Sequence, residues 1–287
     1  KKNKNYFIIG DSLNLNRIIG NLINSKNKKK YNLFKNDFKI NIKIDQTYLD
    51  KKNIIKHFKG YLIYKDNEIY ESNLESRFLN NKKIKFTINT DNGVKITTLY
   101  TDVAKPFVDR YKFIKGFEEG NLDFYSTKKN DISNSTLKID NFKVQEVPIL
   151  AKLLTLASLQ GIADLLTGEG IRFTDFEMKF SNQKELMKIE EMYAIGPAIS
   201  ILMDGYIERD KLISLRGTLV PARTINRTIS SIPLVGKILV GKKVGEGVFG
   251  VSFKIKGPPK DLKTTVNPIK TLTPRFITRT LEKIKKN

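Results

Sequence analysis

Apolar and polar residues alternate with a period of two along much of this chain, the pattern of strands that bury one face. Phe38, Ile40, Ile42 and Ile44 alternate with Lys39, Asn41 and Lys43; Phe58, Gly60, Leu62 and Tyr64 then run to a turn at Asp66-Asn67. Ile84, Phe86 and Ile88 lead into Asp91-Asn92-Gly93, and Val94, Ile96, Thr98 and Tyr100 return. Leu137 and Ile139 follow, then alternating segments over 173–180, 199–207, 212–220 and 249–255. Runs of strands with few helices predict a mainly β fold of antiparallel sheets, not βαβ winding.

The hairpin around Gly93 allows two registers. A two-residue turn at Asn92-Gly93 sets Ile88 opposite Thr97 and splits the apolar residues between faces. A three-residue loop, Asp91 to Gly93, pairs Ile88 with Ile96, Phe86 with Thr98 and Ile84 with Tyr100, and leaves one coherent apolar face. The longer loop is therefore expected. It puts Ile84, Phe86, Ile88 and Ile96 on one interior face and Lys83, Lys85 and Lys95 on the other.

Short helices are expected over Asn14–Ile23, Val103–Ile114 and Pro148–Leu166, the last with Pro at its first turn and an interruption at Gly161. The stretch Thr224–Ile232 is ambiguous. Pro274–Lys285 has helical spacing, with Phe276, Ile277, Leu281 and Ile284 on one stripe among Arg275, Arg279, Lys283 and Lys286. Such a basic amphipathic tail either contacts a membrane surface or caps the end of a β groove.

The 287 residues can bury a sizeable core, and without cysteine the chain carries no disulfide or thiolate site. Its longest apolar run, Val147–Leu166, is broken by Lys152, Gln160 and Asp164, so no spanning helix is expected within it. The chain opens on Lys1, so the natural amino terminus is expected to lie upstream. A formal charge of +22 invites a polyanion. The lysines are nevertheless scattered over the polar positions of alternating segments, alongside abundant asparagine and isoleucine, as in the usage of an AT-rich genome. They read as solvated faces, and no nucleic-acid partner is expected.

Catalytic chemistry finds little support. Gly245-Glu246-Gly247-Val248-Phe249-Gly250 matches a dinucleotide fingerprint, but that motif works between a strand and a helix, and here the glycines open a strand with Phe249, Val251, Phe253 and Ile255 on one face. His57 is the only histidine. With no cysteine and no G-x-S-x-G, zinc sets and a serine triad fall away, and His57 reads as a surface or strand-end residue. Glu118-Glu119 and Glu190-Glu191 are adjacent in sequence and do not converge on one substrate atom. Aromatic residues such as Phe58, Phe86, Phe249 and Phe253 share faces with Ile, Leu and Val, as interior lining rather than a stacking platform. No enzyme activity, cofactor or metal is expected.

A resemblance covers most of the chain. Phe142-Lys143-Val144 and Val147-Pro148-Ile149-Leu150-Ala151-Lys152-Leu153-Leu154 are followed by Gly168-Glu169-Gly170-Ile171 and Ile195-Gly196-Pro197-Ala198. Then come Gly205-Tyr206-Ile207, Leu215-Arg216-Gly217-Thr218-Leu219-Val220-Pro221, Ile232-Pro233-Leu234-Val235-Gly236, Gly257-Pro258 and Val266-Asn267-Pro268-Ile269. In order and spacing over 142–274 these blocks resemble the AsmA-like carboxyl-terminal region of large Gram-negative envelope proteins, relatives of AsmA, YhdP and TamB. Thr101-Asp102-Val103, Gly116 through Leu122, and Ile9-Gly10-Asp11-Ser12-Leu13 fit the preceding part more thinly. The resemblance implies an incoming segment over 1–35 and an AsmA-like β-rich region over 36–287. It further implies a protein anchored in the inner membrane by an amino-terminal helix, on the periplasmic side of the cell envelope. Its sheets would curl into an elongated groove, or taco, that carries phospholipid toward the outer membrane, without catalytic residues.

An apolar face suits either reading of such a sheet, since it can shelter acyl chains, at about 0.8 kcal/mol per buried methylene, or pack on itself as an ordinary core. On the groove reading Phe58, Leu62, Ile84, Phe86, Ile88 and Ile96 are the expected lipid-binding residues. Phospholipid acyl chains are the expected partner, with a membrane surface and other envelope proteins as further candidates. The alternative is a structural or assembly β module of the envelope without lipid cargo.

Overall fold

Alternation does become strand. A computed structural model describes residues 4–19, 37–110, 115–221 and 250–269, and most of these lie in extended chain. The strands are β1 (Lys4–Asn14), β2 (Phe38–Tyr48), β3 (Ile54–Lys65), β4 (Glu68–Phe78), β5 (Lys83–Asp91), β6 (Val94–Thr101), β7 (Lys115–Lys129) and β8 (Ile132–Gln145). They continue as β9 (Ile171–Gln183), β10 (Leu186–Ile195), β11 (Ile199–Glu208), β12 (Leu212–Pro221), β13 (Gly250–Gly257) and β14 (Lys263–Ile269). Hydrogen-bonded neighbours follow sequence order from β1 to β14, so the sheet is open and strand contacts are local along the chain. Two compact units divide it: 1–112 with 119–139, and 113–118 with 140–287.

The sheet is mixed, not purely antiparallel. β1 runs parallel to β2, Lys4 beside Phe38 and Asn14 beside Tyr48, with the connection between them long enough to return the chain. The other described pairings are antiparallel, and tight turns set their registers. Asp66 and Asn67 between β3 and β4 both hold left-handed φ, 52° and 66°, as a turn that matches strand twist requires.

The β5–β6 hairpin corrects the expected register. Asp91 pairs with Val94 across a two-residue Asn92-Gly93 turn, with φ of 47° and 74° at the two positions. Ile88 therefore opposes Thr97, Phe86 opposes Leu99 and Ile84 opposes Thr101. Ile96 lies on the opposite face from Ile84, Phe86 and Ile88. Turn geometry outweighed the apolar count: Asn-Gly adopts two successive left-handed residues at little strain, and the primed turn follows the right-handed twist of the strands.

The helices are shorter than the periodicity suggests. The stretch over 103–114 yields only α1 (Lys105–Val108), with Pro106 in its first turn and 111–114 outside the described residues. Pro148–Leu166 forms two helices, α2 (Pro148–Leu156) and α3 (Gln160–Thr167), separated at Ser158, whose φ is +57°. Gly161 lies inside α3 and does not interrupt it. Of the expected helix over 14–23, residues 16–19 are helical, 14 ends β1 and 20–23 lie outside the described residues. The stretches 224–232 and 274–285, with Phe276, Ile277, Leu281 and Ile284, also lie outside them. So do the first five fingerprint residues, while Gly250 opens β13 and Val251, Phe253 and Ile255 are buried along it.

Candidate functional site

In the first unit, register puts one kind of side chain on one face across seven strands. A central row runs Ile8, Ile42, Gly60, Leu74, Phe86, Leu99 and Phe124 from β1 to β7. Beside it, two residues along each strand, runs Tyr6, Ile40, Leu62, Ser72, Ile88, Thr97 and Ser126. On the other side, Gly10, Ile44 and Phe58 form one row end, and Ser76, Ile84, Thr101 and Leu122 the other. Not one of these side chains is charged. Of the expected lipid-binding residues, Phe58, Leu62, Ile84, Phe86 and Ile88 share this face.

The reverse face is polar over the same strands. One of its rows runs Lys43, Lys59, Glu75, Lys85, Tyr100 and Asp123, with an ion pair of 3.1 Å between Lys59 Nζ and Glu75 Oε1. Another runs Asn41, Tyr61, Asn73, Thr87, Thr98 and Tyr125, where the Thr87 and Thr98 hydroxyls lie 2.6 Å apart. Ile96 sits on this side, between Asn89 and Thr127. The electrostatics fit a wet surface. The Tyr61 phenol donates to Glu71, whose carboxylate pushes its pKa up, and Tyr100 is raised in the same way by its hydrogen bond to Asp102. Asp102 is held below the usual carboxylate value, first by the backbone N–H of Lys83 at 2.6 Å and then by Tyr100.

One end of the apolar face is closed. Ile44, Leu49, Ile55, Phe58 and Phe78 are buried together, with Leu13, Leu15, Ile19, Ile42, Leu74, Ile84 and Val103 against them. Phe58, at 8% exposure, is buried within this cluster. The cause is a bulge at His57, exposed and at φ +55°, which lets β3 turn both Ile55 and Phe58 inward. Arg110 clamps the same end: its guanidinium donates to Asn16 Oδ1 at 3.2 Å and to the Leu49 carbonyl, and its Nε to the Pro106 carbonyl at 3.1 Å. Away from this end Ile40, Leu62, Phe86, Leu99 and Phe124 are only half-buried, whereas Ile88, at 8% exposure, and its partner Ser72 are buried.

The second unit also alternates, but its rows are buried more deeply: Ala194, Leu219, Val251 and Phe253 on one face and Glu177 and Tyr193 on the other are all buried. Met178, Met192, Met203, Gly217, Phe253 and Val266 form one row from β9 to β14. Phe176, Ala194, Ile201, Leu219 and Val251 form the row beside it. The reverse face carries Glu177, Tyr193, Leu202, Thr218, Ser252 and Asn267, with the Tyr193 hydroxyl donating to Glu177 Oε2 at 2.7 Å. Helix α2 buries Leu150, Leu153 and Leu154 and packs against β14. Sequence reasoning predicted most of these strands but chose no site among them. The alternation of 199–207 and 212–220 was the available signal.

Among the described residues no group of His, Asp and Glu is placed to hold a metal ion, and no helix is long and apolar enough to cross a membrane. Protein-family models, curated protein sequences and solved structures were compared with the chain, and none of them matches it.

Proposed function

We propose that this chain is a non-enzymatic lipid-binding module in which the apolar sheet face of the first unit forms a groove for phospholipid acyl chains, as its resemblance to AsmA-like envelope proteins implies. The observation that carries the reading is the uncharged face running from β1 to β7, half-buried through its centre and backed by a charged one. A sheet that packs only on itself buries its middle most deeply. Here burial is deepest at the closed end, where Ile44, Leu49 and Ile55 are 2% exposed, while the central row stays half-buried between that end and the buried Ser72 and Ile88.

Curling of the sheet is supported by contacts that skip strands. Arg110, which follows β6, reaches residues that follow β1 and β2, and α2, which precedes β9, packs on β14. The three rows from Thr97 to Thr101 span about 14 Å along the strand, close to the roughly 15 Å of hydrocarbon in one leaflet. With about 0.8 kcal/mol per methylene withdrawn from water, a chain laid over these rows is held without any polar contact. Transport between inner and outer membrane, periplasmic location and an inner-membrane anchor belong to the same proposal.

A second reading, docking of other envelope proteins without cargo, draws on the edge strand. Tyr6, Phe7, Ile8 and Ile9 of β1 are 42–73% exposed along a strand whose outer edge is unpaired among the described residues, and which an added strand would cover.

The test sets thermal stability beside bound phospholipid for Phe86→Asp. On an open face the carboxylate reaches water in the lipid-free protein, so the variant is expected to stay folded and to lose lipid. Collapse of the variant would make Phe86 ordinary core and remove the groove.

A further inference from the structure

The rim of the first unit's apolar face carries a chemistry its central rows lack. Lys95 on β6 and Lys128 on β7 are direct cross-strand partners, and alternation puts both on the side of Thr97, Leu99 and Ser126. Like charges opposed at this separation repel. Among the described residues one carboxylate answers them: Glu68 Oε2 lies 2.6 Å from Lys95 Nζ, with the Lys95 side chain 17% exposed. One acid against two lysines leaves a net positive row. Thr90, the partner of Lys95 on β5, buries a hydroxyl oxygen that has no hydrogen-bond partner. A donor-rich, half-covered row of this kind lacks acceptors, and an oxyanion supplies them.

Behind this rim the next row is hydroxylic. Thr97 pairs with Ser126, and the buried Ser135 hydroxyl donates to Ser126 Oγ at 2.9 Å. Leu99 with Phe124 and Thr101 with Leu122 come next, before the closed end. Charge, hydroxyl and apolar rows thus succeed one another in the order of phosphate, glycerol ester and acyl chain. From Lys95 to Thr101 is six residues, or about 20 Å, which seats a headgroup above roughly 15 Å of hydrocarbon.

We propose that Thr90, Lys95 and Lys128 form a site for the phosphodiester of a lipid whose chains lie along the strands toward the closed end. The assignment rests on the lipid-binding reading and adds to it an orientation and a preference for anionic phosphate headgroups.

The experiment measures calorimetric binding of dihexanoylphosphatidylglycerol, of dihexanoylglycerol with the same chains and no phosphate, and of inorganic phosphate, to the full chain and to Lys128→Gln and Lys128→Arg. The phospholipid is expected to bind about tenfold more tightly than the diacylglycerol, the worth of a charge-assisted hydrogen bond. Lys128→Gln should erase that margin without changing diacylglycerol affinity, and Lys128→Arg should keep it. Equal affinity of the wild type for the two lipids overturns the headgroup site alone. Binding of neither lipid overturns the lipid reading and the site together. Inorganic phosphate binding as tightly as the phospholipid makes this a free-anion site and overturns the orientation. Should Lys128→Gln fail to fold, the salt dependence of wild-type binding decides: the phospholipid margin must shrink as ionic strength rises, and a flat margin contradicts the site.

Discussion

Phe58 and Phe86 are the same residue type on the same face, two strands apart, and the account assigns them opposite energetics. Phe58 sits in the sealed cluster with Ile44, Ile55 and Phe78, whereas Phe86 is half-buried between Leu74 and Leu99. Truncating Phe58 to Ala removes its transfer energy and leaves a cavity among neighbours that cannot collapse, a loss of about 3–5 kcal/mol. Truncating Phe86 removes a ring already partly in water and opens no enclosed void, so about 1 kcal/mol is expected from the area alone. With a urea slope of about 2 kcal/mol per molar, the midpoint should fall by about 2 M for Phe58→Ala and about 0.5 M for Phe86→Ala. Circular dichroism at the strand band, on lipid-free protein, measures both. An unchanged slope shows that the comparison concerns the native state. Equal midpoint shifts, or a larger one for Phe86, would refute the division into a sealed end and an open face.

Three further expectations concern the sheet itself. Gly60 has φ of +137°, and a Cβ there would lie 1.9 Å from the Asn73 carbonyl oxygen, so Gly60→Ala is expected to destabilise the first unit by several kcal/mol (about 2–4), read by urea melting. Ile96 lies on the polar face, so Ile96→Thr should change stability by about 1 kcal/mol or less and leave lipid binding intact; loss of bound lipid would restore the three-residue register. Asp102 has a depressed pKa, so its contribution is complete above the ordinary carboxylate value near 3.8 and is lost as pH falls through the lowered one. Asp102→Asn should therefore flatten the acid limb of the melting-temperature profile below about pH 4 and leave its slope near neutrality unchanged.

Strand existence was legible wherever apolar residues alternated without interruption, as in β2, β5, β6, β11, β12 and β13. β4 was not, because its inward positions include Ser72 and Ser76, which carry no hydrophobic signal, and Tyr64 opposite Ile69 marks a register shift that breaks the period. β10 was hidden by the irregularity between Ile189 and Glu191, which moves the apolar phase from Met187 and Ile189 to Met192 and Ala194. The face itself was half legible. Ile84, Phe86, Ile88 and Leu62 were placed together by alternation alone, while Ile96 was misplaced because counting apolar pairs was allowed to outweigh the backbone preference of Asn-Gly. The packing of Phe58 together with Ile55 was not legible, because a bulge at His57 depends on backbone conformation, which residue type does not reveal. The Thr90, Lys95 and Lys128 row could not be found at all before the register was known, since it joins three strands through their pairing.

Photo-crosslinking of lipid from neighbouring positions on β6 tests the central claim most directly. Leu99 faces the apolar rows and Thr98 the polar side, one residue apart and both half-buried. With p-benzoylphenylalanine placed at each position in turn in cells, phospholipid adducts read by mass spectrometry are expected at position 99 and not at 98. Adducts at neither position, or equally at both, would contradict a lipid path along this face.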